Sequence, residues 1–325
     1  MYSFDELKSM VDSHAEKLFK FNKEPEGLYS PVSYILSIGG KRIRPVLTLM
    51  SVDLFGGNVE KAIIPALGIE MFHNFTLVHD DIMDKADVRR GKMTVHKKWD
   101  ENRAILSGDA MLLLANQMML HVDDDVLREV MELYNATGLL VCEGQQYDMN
   151  YENEDHISSA DYLRMIELKT AVLLGGCLKL GAVLAKTSPK NKEMIEKFGI
   201  LLGLSFQIED DYLDTFGDFD KFGKSIGGDI LINKKTFLLV KALETASGKS
   251  AEQLTFWLKA NDFKPEEKIK AIRSIFQELG IDKLALDTSR NYFTEAMNTL
   301  RNIDVNDIRK EPLSRFAHSL IGRSS

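Results

Sequence analysis

Cysteine is nearly absent from this 325-residue chain: its two thiols, Cys142 and Cys177, cannot supply a disulfide framework and fit a reducing, cytoplasmic setting. Proline is scarce too, at seven residues, which mostly sit where helices would begin or end. No apolar run is long enough to cross a bilayer. The longest candidate, Thr170 to Ala185, is too short and carries Lys179. The amino terminus, MYSFDELKSMVDSHAEKLFKF, lacks the apolar core and small-residue cleavage site of a signal peptide. Positive charge is in deficit, since 41 Lys+Arg against 49 Asp+Glu leaves −8, and this argues against a surface built for nucleic-acid phosphates. Any phosphate binding must be local.

No Gly/Ser linker, low-complexity tract or short repeat divides residues 1–325, which read as a single domain. What fills the chain is helical periodicity. From Val59 to Asp84 apolar residues recur at three- and four-residue steps (Ile63, Leu67, Met71, Phe75, Val78, Ile82), and no alternating strand of useful length competes. Comparable stretches cover 104–121, 125–147, 159–185, 190–214, 233–247, 266–279 and 284–301, which predicts an all-α fold. Gly175, Gly176 and Gly181 weaken helix propensity and read as close helix packing.

One feature occurs twice. VHDDIMDKADVRRGK and IEDDYLDTFGDFDKFGK each put acids at the end of an apolar helix, followed by a loop with glycine and bases. Asp80, Asp81 and Asp84 stand at i, i+1 and i+4, as do Asp210, Asp211 and Asp214. Positions four apart share a face and lie about 6 Å apart along the axis. Such carboxylates repel one another and sit at the negative pole of the helix dipole. One cluster alone could be a solvated helix end; two, each with bases after it, point to a hard divalent cation, and all-oxygen ligation suits magnesium. The bases are Arg89 and Arg90 after the first cluster, Lys224 and Lys234 after the second, and Lys41, Arg42 and Arg44 in GGKRIRP. Singly each would be a surface charge, but beside acid clusters in an acidic chain they suit a diphosphate with its metals.

These residues resemble the trans-isoprenyl diphosphate synthase family, which includes farnesyl and geranylgeranyl diphosphate synthases. The resemblance rests on GGKRIRP, HNFTLVHDDIMDKADVRRGKMTVHKKW, the Lys169-Thr170 pair, FQIEDDYLD and FGKSIGGDILINKKT. It implies an isoprenoid-synthase-type bundle of long helices around a deep central cavity, usually as a homodimer. It also implies condensation of isopentenyl diphosphate with an allylic diphosphate. Asp80, Asp84 and Asp210 would be direct ligands of three magnesium ions, supported by Asp81, Asp211 and Asp214. Arg89, Lys169, Thr170, Gln207, Lys224 and Lys234 would hold the allylic diphosphate; Lys41, Arg44, His73 and Arg90 would hold isopentenyl diphosphate.

Two departures from the animal farnesyl pattern stand out. His73 replaces a glutamine, and one extra residue separates Lys224 from the second lysine, favouring Lys234 over Lys235. Phe75 and Thr76, just upstream of Asp80, would form a floor that limits product length to fifteen or twenty carbons, with geranylgeranyl favoured; Phe75 as plain core is the alternative. Phe75, Phe206 and Met71 would keep a cation dry. Arg315 and Arg323 lie near the end of the chain and read as surface charges. Longer-chain synthases for quinone side chains differ only in cavity depth, a terpene cyclase would lack the second DDxxD and GGKRIRP, and an inactive regulatory subunit would have lost aspartates.

Overall fold

The structure, a computed structural model, describes residues 1–152, 154–217 and 227–321. Lys224 and Arg323 therefore lie outside the described residues. The expected all-α class is borne out: 79% of the chain is helical, and no helix among the described residues is long and apolar enough to cross a membrane. Helix starts follow side-chain capping. Ser3 and Glu6 form a capping box, and Asn58, Asp100 and Thr236 each accept from a first-turn backbone amide.

The chain divides into two compact units, each drawn from separated segments: Met1–Asn135 with Gly176–Ile195 and Asp304–Leu313, and Ala136–Gly175 with Glu196–Ile303 and Ser314–Ser325. In the first lie α1 (Phe4–Leu18), α2 (Glu26–Ser37), α3 (Ile43–Leu54), α4 (Val59–Met83), a hairpin of β1 (Val88–Arg89) and β2 (Lys92–Met93), α5 (Val95–Lys98), α6 (Glu101–Met119) and the start of α7 (Asp124–Glu152). Its spine is α4, buried along most of its length and packed on α3 and α6. Close approach to α6 rests on glycine: a Cβ at Gly68 would overlap Met119, and one at Gly108 would overlap the His79 ring. Gly181 likewise meets the Thr48 carbonyl, as its packing reading expects.

The second unit holds the rest of α7, then α8 (Ser159–Ile166), a π-helical turn (Glu167–Ala171), the start of α9 (Val172–Leu184) and most of α10 (Pro189–Phe216). Beyond these come α11 (Gly228–Leu231), α12 (Phe237–Thr245), α13 (Gly248–Lys259), α14 (Pro265–Glu278), α15 (Ile281–Arg301) and the end of α16 (Asp307–Ile321). Tyr162, Ile208, Phe237, Leu238, Ile272, Phe276 and Ala285 make its core.

The structure departs from the sequence reading in three places. The stretch 159–185 is interrupted by the π turn, and the segment after Arg89 is a hairpin instead of an open loop. Pro31, Pro65 and Pro312 lie inside helices, where the flanking apolar packing outweighs one lost amide bond; Pro189 and Pro265 do open theirs.

Candidate active site

Within the first unit, Asp80 lies in the last turn of α4 and Asp84 caps it, its amide donating to the Asp80 carbonyl at 2.8 Å. Asp81, a third of a turn away, faces inward and is 1% exposed. The motif thus splits: Asp80 is half-buried and Asp84 exposed, while Asp81 is an internal anchor. Arg89 Nε donates to Asp81 Oδ1 at 2.7 Å, and Arg89 Nη2 reaches Asp80 Oδ2 at 3.4 Å. Burial raises the Asp81 carboxyl above its ordinary value, and Arg89 pulls the other way. Asp81 Oδ2 has no hydrogen-bond partner among the described residues.

The hairpin aims these bases. Its ladder pairs Val88 with Met93 and Arg89 with Lys92, leaving Arg90 and Gly91 as a two-residue loop with φ of 51° and 72°. Positive φ at both positions is what a tight hairpin needs for the right-handed strand twist. An arginine there is strained. Arg90 Nη1 donates to the Gly39 carbonyl and its guanidinium lies against Gly40, so the strained turn delivers a cation to the GGKRIRP segment. In that segment Arg42 is also left-handed, at φ 52°, and buried. It pairs with Glu70 at 2.8 Å and Asp12 at 3.4 Å, so it is structural. Lys41 is exposed just ahead of it. Arg44 Nη1 donates to His73 Nε2 at 3.0 Å. His73 is held well below its ordinary pKa, chiefly by burial, then by Arg44, Arg90, Arg89 and Arg42. A guanidinium cannot accept, so Nε2 is the bare nitrogen and Nδ1 carries the proton. Arg44, His73, Arg89 and Arg90 therefore stand in one electropositive neighbourhood. Thr76 donates to the His73 carbonyl at 2.8 Å, and Phe75 is buried with its ring 4.8 Å from His79 and 5.6 Å from Phe72.

In the second unit Lys169 and Thr170 sit on the π turn. Such turns insert an extra residue and redirect side chains, often at functional positions. The turn is pressed against α7 at Gly144, where a Cβ would overlap the Lys169 backbone nitrogen. Lys169 Nζ meets Asp148 at 2.5 Å, and Thr170 Oγ1 donates to Gln207 at 3.3 Å. Gln207 donates in turn to Asp211 at 3.1 Å.

Asp211 repeats the role of Asp81. It is 4% exposed, accepts from Tyr162 Oη and from the Phe237 amide at the start of α12, and is pushed up to about 7 by burial. Asp214 accepts from the Asp229 amide at 3.0 Å, and its carbonyl accepts from Gly227 at 2.7 Å. Two motif carboxylates thereby tie down both ends of the segment 227–237, which carries Lys234, itself 3.7 Å from Asp229. Asp210 is half-buried, as is Phe206.

Several residues of the site escaped the sequence reading. Glu70, the lone acid in an apolar stretch, was a legible signal; Tyr162, Asp148 and Asp229 gave none. Among the described residues no three His, Cys, Asp or Glu side chains converge as a metal cage. The half-buried Asp80 and exposed Asp84, carboxylates one turn apart at the end of α4, fit a hard cation that takes few protein ligands.

A family model described as polyprenyl synthetase matches residues 25–276. The chain is 38% identical over 318 residues to a geranylgeranyl pyrophosphate synthase of Geoglobus acetivorans, covering 97% of this chain and 96% of the other. It is 35% identical over 300 residues to a short chain isoprenyl diphosphate synthase of Methanothermobacter thermautotrophicus, covering 92% and 91%. The crystal structure of a geranylgeranyl pyrophosphate synthase, 43% identical, superposes over 100% of both chains with a TM-score of 0.95. The chain belongs to the polyprenyl synthetase family. It is an enzyme of that family, a short-chain prenyltransferase.

Proposed function

We propose that the enzyme condenses isopentenyl diphosphate with an allylic diphosphate, in the presence of magnesium, and releases pyrophosphate and geranylgeranyl diphosphate. The observation that carries this reading is the division of labour inside both DDxxD motifs: the i+1 aspartate is buried as an anchor, which leaves Asp80, Asp84 and Asp210 as carboxylates for cations. Magnesium bound there would act as a Lewis acid on the leaving diphosphate. Arg89, Lys169, Thr170, Gln207 and Lys234 hold the allylic diphosphate, with Lys224 assigned on sequence alone. Lys41, Arg44, His73 and Arg90 hold isopentenyl diphosphate. Fixed cations of this kind lower a charge-separating barrier by several kcal/mol. Apolar walls such as Met71 and Phe75 exclude water from the allylic cation. Its attack by the isopentenyl double bond forms the new carbon–carbon bond, and the proton then lost goes to the released pyrophosphate.

Phe75, backed by Phe72, whose ring in turn lies 5.5 Å from that of Tyr134, is proposed as the floor for chain length. The relatives named geranylgeranyl synthase favour twenty carbons. The enzyme is further proposed to work as a homodimer in the cytoplasm. Leu106 and Leu113 on α6 and Leu120 at its C-cap are 60%, 66% and 54% exposed, and a seven-residue spacing keeps them on one stripe suited to a second copy.

The test is product mass with isopentenyl diphosphate, magnesium and each of dimethylallyl, geranyl and farnesyl diphosphate. The expected product is geranylgeranyl diphosphate, and excess chelator stops its formation. Hydrocarbon released from an allylic diphosphate alone would overturn the reading in favour of a cyclase.

A further inference from the structure

On α14, Lys268 is 1% exposed, yet among the described residues it makes no ion pair with a carboxylate. Its ammonium donates to Asn233 Oδ1 at 2.7 Å and to the Leu231 carbonyl at 3.3 Å, and it lies 4.4 Å from the Phe263 ring centroid. Burying an ammonium against neutral acceptors is costly, and a methionine would fill the same space without that cost. The acceptors it holds belong to one turn. Asn233 is left-handed, at φ 55°, a conformation that glycine adopts freely and asparagine adopts with some strain. Its side chain is spent on holding that conformation, because Nδ2 donates to the Leu258 carbonyl at 3.0 Å while Oδ1 accepts from Lys268. The next residue is Lys234. Its amide donates to the Asp229 carbonyl at 2.9 Å, its carbonyl accepts from Thr236 at 2.8 Å, and Asp229 is fastened by its own amide to Asp214. The base is thus clamped from two sides, by the acid motif at one end and by Lys268 at the other.

We propose that Lys268 is a positioning residue, which through the left-handed Asn233 sets the direction of Lys234 toward the allylic diphosphate. The inference rests on the reading above that Lys234 binds this diphosphate. No cation is contributed to the substrate by Lys268 itself. It acts on affinity for one of two substrates, and the carbon–carbon bond-forming step is left alone.

Four variants of the full chain test this: Lys268→Met, Lys268→Met combined with Asn233→Gly, Lys268→Gln, and Lys234→Ala as reference. Thermal midpoint, kcat and the KM of each substrate are measured, with farnesyl diphosphate as the allylic probe. Lys268→Met is expected to raise the farnesyl diphosphate KM about tenfold, with kcat and the isopentenyl diphosphate KM within about twofold. Adding Asn233→Gly, which needs no clamp to stay left-handed, is expected to bring that KM back to within about threefold of wild type. An unchanged farnesyl diphosphate KM in a folded Lys268→Met protein overturns the proposal, as does an equal rise in both KM values, which would mean general loosening. Should Lys268→Met fail to fold, Lys268→Gln, which stays polar but is too short to keep the bond to Asn233 Oδ1, is read by the same split, and its absence overturns the proposal equally. If Lys234→Ala raises the farnesyl diphosphate KM and Lys268→Met does not, only the Lys268 role falls. If Lys234→Ala also leaves it unchanged, the assignment of Lys234 falls first.

Discussion

Aspartates that look equivalent in a string of letters differ by burial. Asp80→Ala should lower kcat/KM on the order of 10²-fold or more and raise the magnesium requirement, with little change in thermal midpoint. Asp211→Ala removes acceptors from Tyr162, Gln207 and the Phe237 amide, and should cost about 2–3 kcal/mol of stability, read as a lower urea midpoint. A tracked pair of measurements, activity and unfolding, separates ligand from anchor. His73 supplies a pH signature. Its folded pKa lies below the ordinary 6.5, so below 6.5 the unfolded chain takes up a proton that the folded one resists. Stability is therefore full above 6.5 and falls as pH drops, by at most about 1.4 kcal/mol per unit. His73→Gln should flatten the dependence of the urea midpoint on pH between 7 and 5. The shared face of Asp80 and Asp84 was legible because four residues make about one turn on an apolar helix. The anchors were not, since Asp211 and Tyr162 are 49 positions apart and nothing local marks the pair.

At the scale of elements, helix existence followed from apolar period, but departures from regularity did not. Propensity treats Glu167–Ala171 as ordinary helix, and only the crossing with α7 at Gly144 reveals why a wider turn is there. Gly144→Ala should push the two backbones apart, lower the thermal midpoint by an amount equivalent to about 1–3 kcal/mol, and raise the allylic diphosphate KM as Lys169 moves. The RRGK hairpin has only two residues per strand, too few for an alternating pattern, though arginine-glycine at its tip was a weak turn signal. Prolines inside α2, α4 and α16 show the limit of reading that residue as punctuation: burial of the flanking helix decides.

For the whole molecule, helical period set the fold class correctly: 79% of the chain is helical, and among the described residues no helix is long and apolar enough to cross a membrane. Association is where the largest departure from a monomer is expected. Leu106→Glu with Leu113→Glu puts charges on the exposed α6 stripe and should halve the mass measured by light scattering, with far-UV helicity retained. The π-helical turn has one further consequence. It exists because the chain carries one amino acid more there than a regular helix would use. Loss of a single codon within 167–171 would let a regular helix run on from Ser159 with its flanking faces still in register, and would take away the widened turn that carries Lys169 and Thr170. Such a lesion would be silent to any measure of helical content and would show only in turnover.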